Sequence, residues 1–170
     1  MHQSQLMNER TFSWGLKDDA VQHLVSLNRS ERIDFFLNLP IENVPIGSMM
    51  GFSKIEIDEK GQVSFSVTPS GYHYNPLGTV HGGLAATILD SCNSISANCQ
   101  LDSGFLTMTA DIGVNYLRPM TESTGEVTAK GQIVKAGRKA IFVYGEIKDR
   151  DGKIYATANS TELVISATNN

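Results

Sequence analysis

Cysteine is scarce in this chain of 170 residues, which holds only Cys92 and Cys99. The two fall in a segment that reads as helix, where helical rise sets their Cα atoms about 10 Å apart, beyond the ~7 Å limit for a disulfide. A bridge within that helix is excluded. Long apolar runs are also missing: nothing approaches the ~20 residues that span a bilayer as a helix. Met1-His2-Gln3-Ser4-Gln5 lacks the basic and apolar regions of a signal peptide, so a cytoplasmic chain is expected. The acceptor patterns at Asn28-Arg29-Ser30 and Asn159-Ser160-Thr161 would then carry no sugar. Basic residues are in slight deficit, 14 Lys and Arg against 18 Asp and Glu for a net charge of −4. They are scattered, which excludes the electrostatic stripe of a nucleic-acid binder. Histidines 2, 23, 73 and 81 show no ligand spacing with cysteine or carboxylate, so neither a metal nor another cofactor is expected. Repeats and low-complexity tracts are absent.

What remains is an ordinary apolar content of 41% over a length suited to one domain. Residues 1–45 read as a helical N-terminal extension and 46–170 as the main domain. In the extension, Asp18 to Leu27 places Ala20, Val21, Leu24 and Leu27 on one side, and Ser30 to Leu39 places Ile33, Phe36 and Leu37 at helical spacing before Pro40 stops it. From Gly51 the pattern alternates: Phe52–Ile57, a turn at Asp58-Glu59-Lys60-Gly61, then Val63–Val67 form a hairpin. Gly82 to about Leu101 is too long for a strand and sets Leu84, Ile88, Cys92, Ile95 and Cys99 near one angular position. Strands follow at about Phe105–Tyr116, Glu126–Lys135, Lys139–Lys148 and Lys153–Ile165. Two strands, one long helix and four strands joined by short turns predict an α+β antiparallel sheet with one helix packed on it.

Chemistry concentrates where the loop meets that helix, Tyr74-Asn75-Pro76-Leu77-Gly78-Thr79-Val80-His81-Gly82-Gly83, and at Asp90 beyond it. Gly82 and Gly83 open the helix, where unpaired N–H groups and the dipole favour a developing oxyanion. Asp90 lies off the apolar stripe among Gly83, Ala86, Asn93 and Ala97, small enough neighbours to admit a substrate beside a base or nucleophile. Gly83 and Asp90 are about 10 Å apart along one helix, so a single helix cannot hold both ends of one carbonyl group. Two such helices, antiparallel across a twofold axis, could; a dimer with two shared sites is the expectation. Singly, each residue has a plainer reading: Asp90 a solvated charge, His81 a cap, Asn75 a turn opener, and Thr109, Asp111 and Asn115 one solvated strand face.

Asn75-Pro76-Leu77-Gly78-Thr79-Val80-His81-Gly82-Gly83 followed by Leu89-Asp90-Ser91 closely resembles hotdog-fold acyl-CoA thioesterases of the phenylacetate-degradation type. Asp111-Ile112-Gly113-Val114-Asn115-Tyr116-Leu117-Arg118-Pro119 extends the likeness, which covers roughly residues 45 to 166. The resemblance implies a curved antiparallel sheet wrapped around one long helix, homodimers made by sheet continuation, and often homotetramers. It implies Asp90 as nucleophile or general base and the Gly82 or Gly83 N–H as carbonyl polariser. Asn75 and His81 would orient substrate, water or thiolate, and Thr109 would hold the attacking water. Coenzyme A enters as part of the substrate, its phosphates meeting Lys135, Arg138 or Lys139. The chain departs from the resemblance at Cys92-Asn93-Ser94-Ile95-Ser96, more polar than the family's alanine-rich stretch, and in the helices before Pro40. Two other functions fit the same fold: a hydratase working with His81 and Asp90 as its acid–base pair, and a non-catalytic acyl-CoA-binding module.

Overall fold

The structure, a computed structural model, describes residues 8–15 and 19–167. Three short helices come first: α1 (Ala20–Ser26), α2 (Arg29–Leu37) and α3 (Pro45–Met50). The α2 start is set by Asn28, whose side chain accepts from Glu31 N at 3.1 Å while Glu31 returns the bond to Asn28 N at 2.8 Å. This reciprocal cap contributes about 1 kcal/mol and moves the helix start one residue ahead of Ser30. The expected apolar faces hold only in part. Leu24, Ile33 and Phe36 pack on the core, whereas Val21 and Leu37 are exposed.

Arg32 is fully buried beside them. Its guanidinium donates to the carbonyls of Leu27, Asp102 and Phe105 at 3.1, 3.2 and 2.6 Å, tying α2 to the loop after the long helix. Charge-assisted bonds to three carbonyls offset much of the cost of removing a cation from water. The helix α3 was not expected; Pro45 occupies its first turn, where no N–H is needed.

Strands β1 (Phe52–Ile57), β2 (Val63–Val67), β3 (Phe105–Tyr116), β4 (Val127–Ala136), β5 (Ala140–Asp149) and β6 (Ile154–Ser166) form one sheet in the order β1-β2-β4-β5-β6-β3. Every neighbouring pair is antiparallel. The sheet curves around α4 (Gly82–Asn98), which touches β2, β3, β4, β5 and β6. Leu84, Ile88, Cys92 and Cys99 are buried as the stripe predicts and Ile95 partly so; Leu89, Asn93, Ser96 and Ala97 are buried as well, because strands cover more of the helix than one stripe. Both cysteines are free, and burial pushes the Cys99 thiol up to about 12.

The polar stretch in α4 is explained by what it meets. Ser96 Oγ accepts from Val63 N at 2.9 Å and donates to Gly131 O at 3.3 Å, and Asn93 Nδ2 donates to Ser160 Oγ at 3.1 Å. The strands come so close that a Cβ on Gly145 would lie 2.6 Å from Asn93 Oδ1 and 3.0 Å from Leu89 Cδ2. Only glycine fits there.

Candidate active site

The loop entering α4 is built by its own side chains. Asn75 Oδ1 accepts from Leu77 N at 2.8 Å and Thr79 N at 3.4 Å, and its Nδ2 donates to Thr79 Oγ1 at 3.1 Å. Asn75 therefore shapes the turn it was expected to open. His73, which is buried, accepts from Ser70 N at 3.1 Å through Nδ1 and reaches Met50 O at 3.0 Å through Nε2. Burial, then the nearby Arg10 charge, hold His73 below the usual imidazole range. Its backbone carbonyl accepts from His81 N at 2.7 Å, so a buried residue props the one that caps α4. Sequence reasoning passed over His73, whose role depends on burial.

His81 is the N-cap of α4, and its Nδ1 accepts from Gly83 N at 2.9 Å. An accepting Nδ1 places the proton of the neutral ring on the other nitrogen. The two glycine amides, interchangeable in sequence, are thereby distinguished. Gly83 N–H is occupied by the cap, whereas no described residue accepts from Gly82 N–H. Tyr116 lies against Gly82 so tightly that a Cβ there would be 2.9 Å from its ring. A cavity of about 370 Å³ opens on this side, lined by Gly82, Tyr116, Met120 and Tyr155 among others. A second, of about 320 Å³, lies toward α3 between Met49, Met50, Tyr72, His81 and Gly83.

Asp90 is half-buried farther along α4, and Thr109 of β3 donates to its Oδ1 at 2.9 Å. The same hydroxyl lies 3.0 Å from Glu162 Oε2 on β6, directly across the strand pair. Glu162 is wholly buried, and its Oε1 closes no hydrogen bond with the described residues. Burial first, and the Asp90 charge as a lesser cause, raise Glu162 above the ordinary carboxyl range, while the hydroxyls of Ser160 and Thr109 act in the opposite sense. Glu162 was not among the expected site residues. Its signal was an acidic residue at the same strand parity as Ala156, Ala158 and Ser160, all of which face the core.

The expected shared face of Thr109, Asp111 and Asn115 does not exist. Thr109 pairs with Glu162 and Asp111 with Thr161, so Ala110 is an extra residue in a β-bulge. The bulge inverts the parity: Thr109 points inward to Asp90, while Asp111 and Asn115 are exposed. Lys135, Arg138 and Lys139 are exposed around the β4–β5 turn, and none forms a salt bridge among the described residues. No group of three or more His, Cys, Asp or Glu among those residues could hold a metal ion, and no described helix is long and apolar enough to cross a membrane.

Residues 77–156 match the sequence model of the thioesterase superfamily. The mouse protein acyl-coenzyme A thioesterase 13 is 30% identical over 91 residues, 53% of this chain and 64% of that protein. Its human counterpart is 25% identical over 91 residues, with the same coverage of 53% and 64%. The matched region thus spans a little under two thirds of these relatives' length. Among solved structures, the E. coli PaaI protein from the phenylacetic acid degradation operon superposes with a TM-score of 0.70 at 21% identity, covering 81% of this chain and 96% of that one. A phenylacetic acid degradation-related protein of Ralstonia eutropha gives a TM-score of 0.65 at 25% identity, covering 80% and 98%. With the sheet wrapped around α4, these superpositions give the chain the hotdog fold, and its residues 77–156 are similar to the thioesterase superfamily.

Proposed function

We propose that this protein is an acyl-CoA thioesterase, releasing a free carboxylic acid and coenzyme A, with Asp90 as its catalytic carboxylate. The observation that carries the reading is Asp90 itself: half-buried, held by the Thr109 hydroxyl at 2.9 Å, and borne on the helix whose first amide has no acceptor among the described residues. In this reading Asp90 takes a proton from water, the hydroxide adds to the thioester carbonyl carbon, and Gly82 N–H receives the charge that develops on oxygen. The C–S bond then breaks and the proton passes to the departing thiolate. Attack by Asp90 itself would use the same geometry.

The site is completed by a second subunit. Gly82 and Asp90 of one chain are about 12 Å apart by helical rise. The edge strand β3 touches both regions, Thr109 bonding Asp90 and Tyr116 covering Gly82. An antiparallel pairing of two β3 strands about a twofold axis near Ile112 and Gly113 would set Thr109 opposite Tyr116 of the second copy. Adjacent strands are about 4.8 Å apart, so the Gly82 tip of one subunit would approach Asp90 of the other. A homotetramer would form through the sheet's outer face, where Met108 and Ala140 flank Leu163 in register and Phe142 is also exposed. Lys139 follows the β4–β5 turn two residues before Ile141, the partner of Glu162 in register. This puts the basic tip formed with Lys135 and Arg138 at the sheet end nearest Asp90, where coenzyme A phosphates would be met. A hydratase reading is weaker, because His81 spends Nδ1 on capping its own helix.

Release of thiol across short, long and aromatic acyl-CoAs tests the assignment. Asp90→Asn should keep fold and assembly and lose at least about a hundredfold in rate; an unchanged rate removes Asp90 from its role.

A further inference from the structure

Glu162 is a buried carboxyl that the proposed reaction does not use, and its contacts pose a counting problem. Thr109 has one hydroxyl proton, yet its oxygen lies within hydrogen-bond distance of two carboxyl oxygens, Asp90 Oδ1 at 2.9 Å and Glu162 Oε2 at 3.0 Å. One proton satisfies one of these contacts, and the other needs a proton from a carboxylic acid. Glu162 is the partner suited to the neutral form. It is 0% exposed, its other oxygen has no hydrogen-bond partner among the described residues, and β5 sets Ile141 beside it. An ionised carboxylate so enclosed would exchange its hydration for the hydroxyls of Thr109 and Ser160 alone, and the Thr109 proton is shared with Asp90. Asp90 is half-exposed, and no described residue bonds its Oδ2.

We propose that Glu162 is a positioning residue for the Asp90 carboxylate: as the neutral acid it donates to Thr109 Oγ1, which commits the Thr109 proton to Asp90 Oδ1. The direction of donation is then fixed along Glu162, Thr109 and Asp90. Asp90 keeps its charge and one oxygen, Oδ2, for water or the thioester. No proton moves along this chain during turnover; the arrangement fixes which oxygen of Asp90 reacts. The β3 bulge at Ala110 lets Thr109 face inward while Asp111 faces out. The inference rests on the thioesterase reading only for its kinetic consequence.

Two measurements test it. In the wild-type-minus-E162Q infrared difference spectrum at neutral pH, the proposal expects the carbonyl stretch of a protonated carboxyl; an ionised carboxylate signal there overturns it, whatever the enzyme's activity. In kinetics, Glu162→Gln supplies an amide donor to Thr109 and should retain at least about a third of wild-type kcat. Glu162→Met, similar in volume but without a donor, should lower kcat about tenfold or more with KM unchanged and with a folded, normally assembled protein. Full activity in E162M, or equal damage in E162Q and E162M, overturns the proposal. Should no acyl-CoA be hydrolysed by the wild type, the thioesterase reading fails while the infrared band still decides the protonation of Glu162.

Discussion

Thr109→Val removes the shared hydroxyl while keeping the size and branching of the side chain. In the wild type that hydroxyl donates to Asp90 Oδ1 at 2.9 Å and is 3.0 Å from Glu162 Oε2. A hydrogen bond to a charged group is worth about 1.5–3 kcal/mol. At about 1.36 kcal/mol per tenfold in rate, its loss predicts a kcat reduction of roughly 10- to 150-fold if it acts wholly on the reactive carboxylate. KM should change little, because the lost bond holds Asp90 and makes no contact with coenzyme A. Leaving Glu162 without its partner should also cost stability, by about 1–3 kcal/mol, or several degrees in Tm at this chain length. Thiol-release kinetics and a thermal melt on the same preparation read both quantities. Thr109→Ser, which keeps the hydroxyl, should recover most of the rate. A valine variant within twofold of wild-type kcat would refute the reasoning.

Three further perturbations have definite outcomes. Gly82→Ala puts a methyl group 2.9 Å from the Tyr116 ring, and displacement of the helix tip should lower kcat about tenfold or more, measured beside Tyr116→Leu to see whether relief of the clash restores it. Gly145→Ala drives a Cβ to 2.6 Å from Asn93 Oδ1; overpacking should cost about 1–3 kcal/mol, read as a lower midpoint in urea, and an unchanged midpoint would mean the helix yields freely. For Glu162 the shift is upward, so the folded state binds its proton more tightly than the unfolded chain. The resulting stability is complete below about pH 4.3, the unfolded carboxyl range, and is lost as pH rises through the raised folded value. The stability difference between wild type and Glu162→Gln should therefore move against the wild type with rising pH in denaturant titrations, and a pH-independent difference would contradict it.

Much of this architecture could be read before folding. The bounds of β1 and β2 follow from the alternating hairpin pattern, those of β3 are as expected, and the first residue of α4 follows from the glycines after His81. The α3 helix escaped because six residues are too few for a helical period to declare itself. The bulge at Ala110 escaped because a single inserted residue leaves the composition of a strand untouched while reversing every later side chain. Glu162 required knowing that β6 lies beside β3, and strand order is a long-range fact that no local pattern carries. The distinction between the two glycine amides depends on the orientation of one imidazole. Asp90 itself was visible as a carboxylate off the apolar stripe, but Asn93 and Ala97, expected to leave room beside it, are buried under the strands; its companions Thr109 and Glu162 are joined to it only by the sheet.

If a reactive site takes its Gly82 tip from one subunit and its Asp90 from another, two inactive chains can restore each other, and subunit complementation measures this. Asp90→Asn and Gly82→Val chains, each inactive alone, are differently tagged, co-expressed and purified as mixed dimers. Each mixed dimer then holds one site with both native groups and one with neither, so a randomly assembled mixture should recover about a quarter of wild-type thiol release, and isolated mixed dimers about half. Mixed dimers as inactive as either parent would rule out the shared site, because sites contained within single chains cannot be rescued by a neighbour.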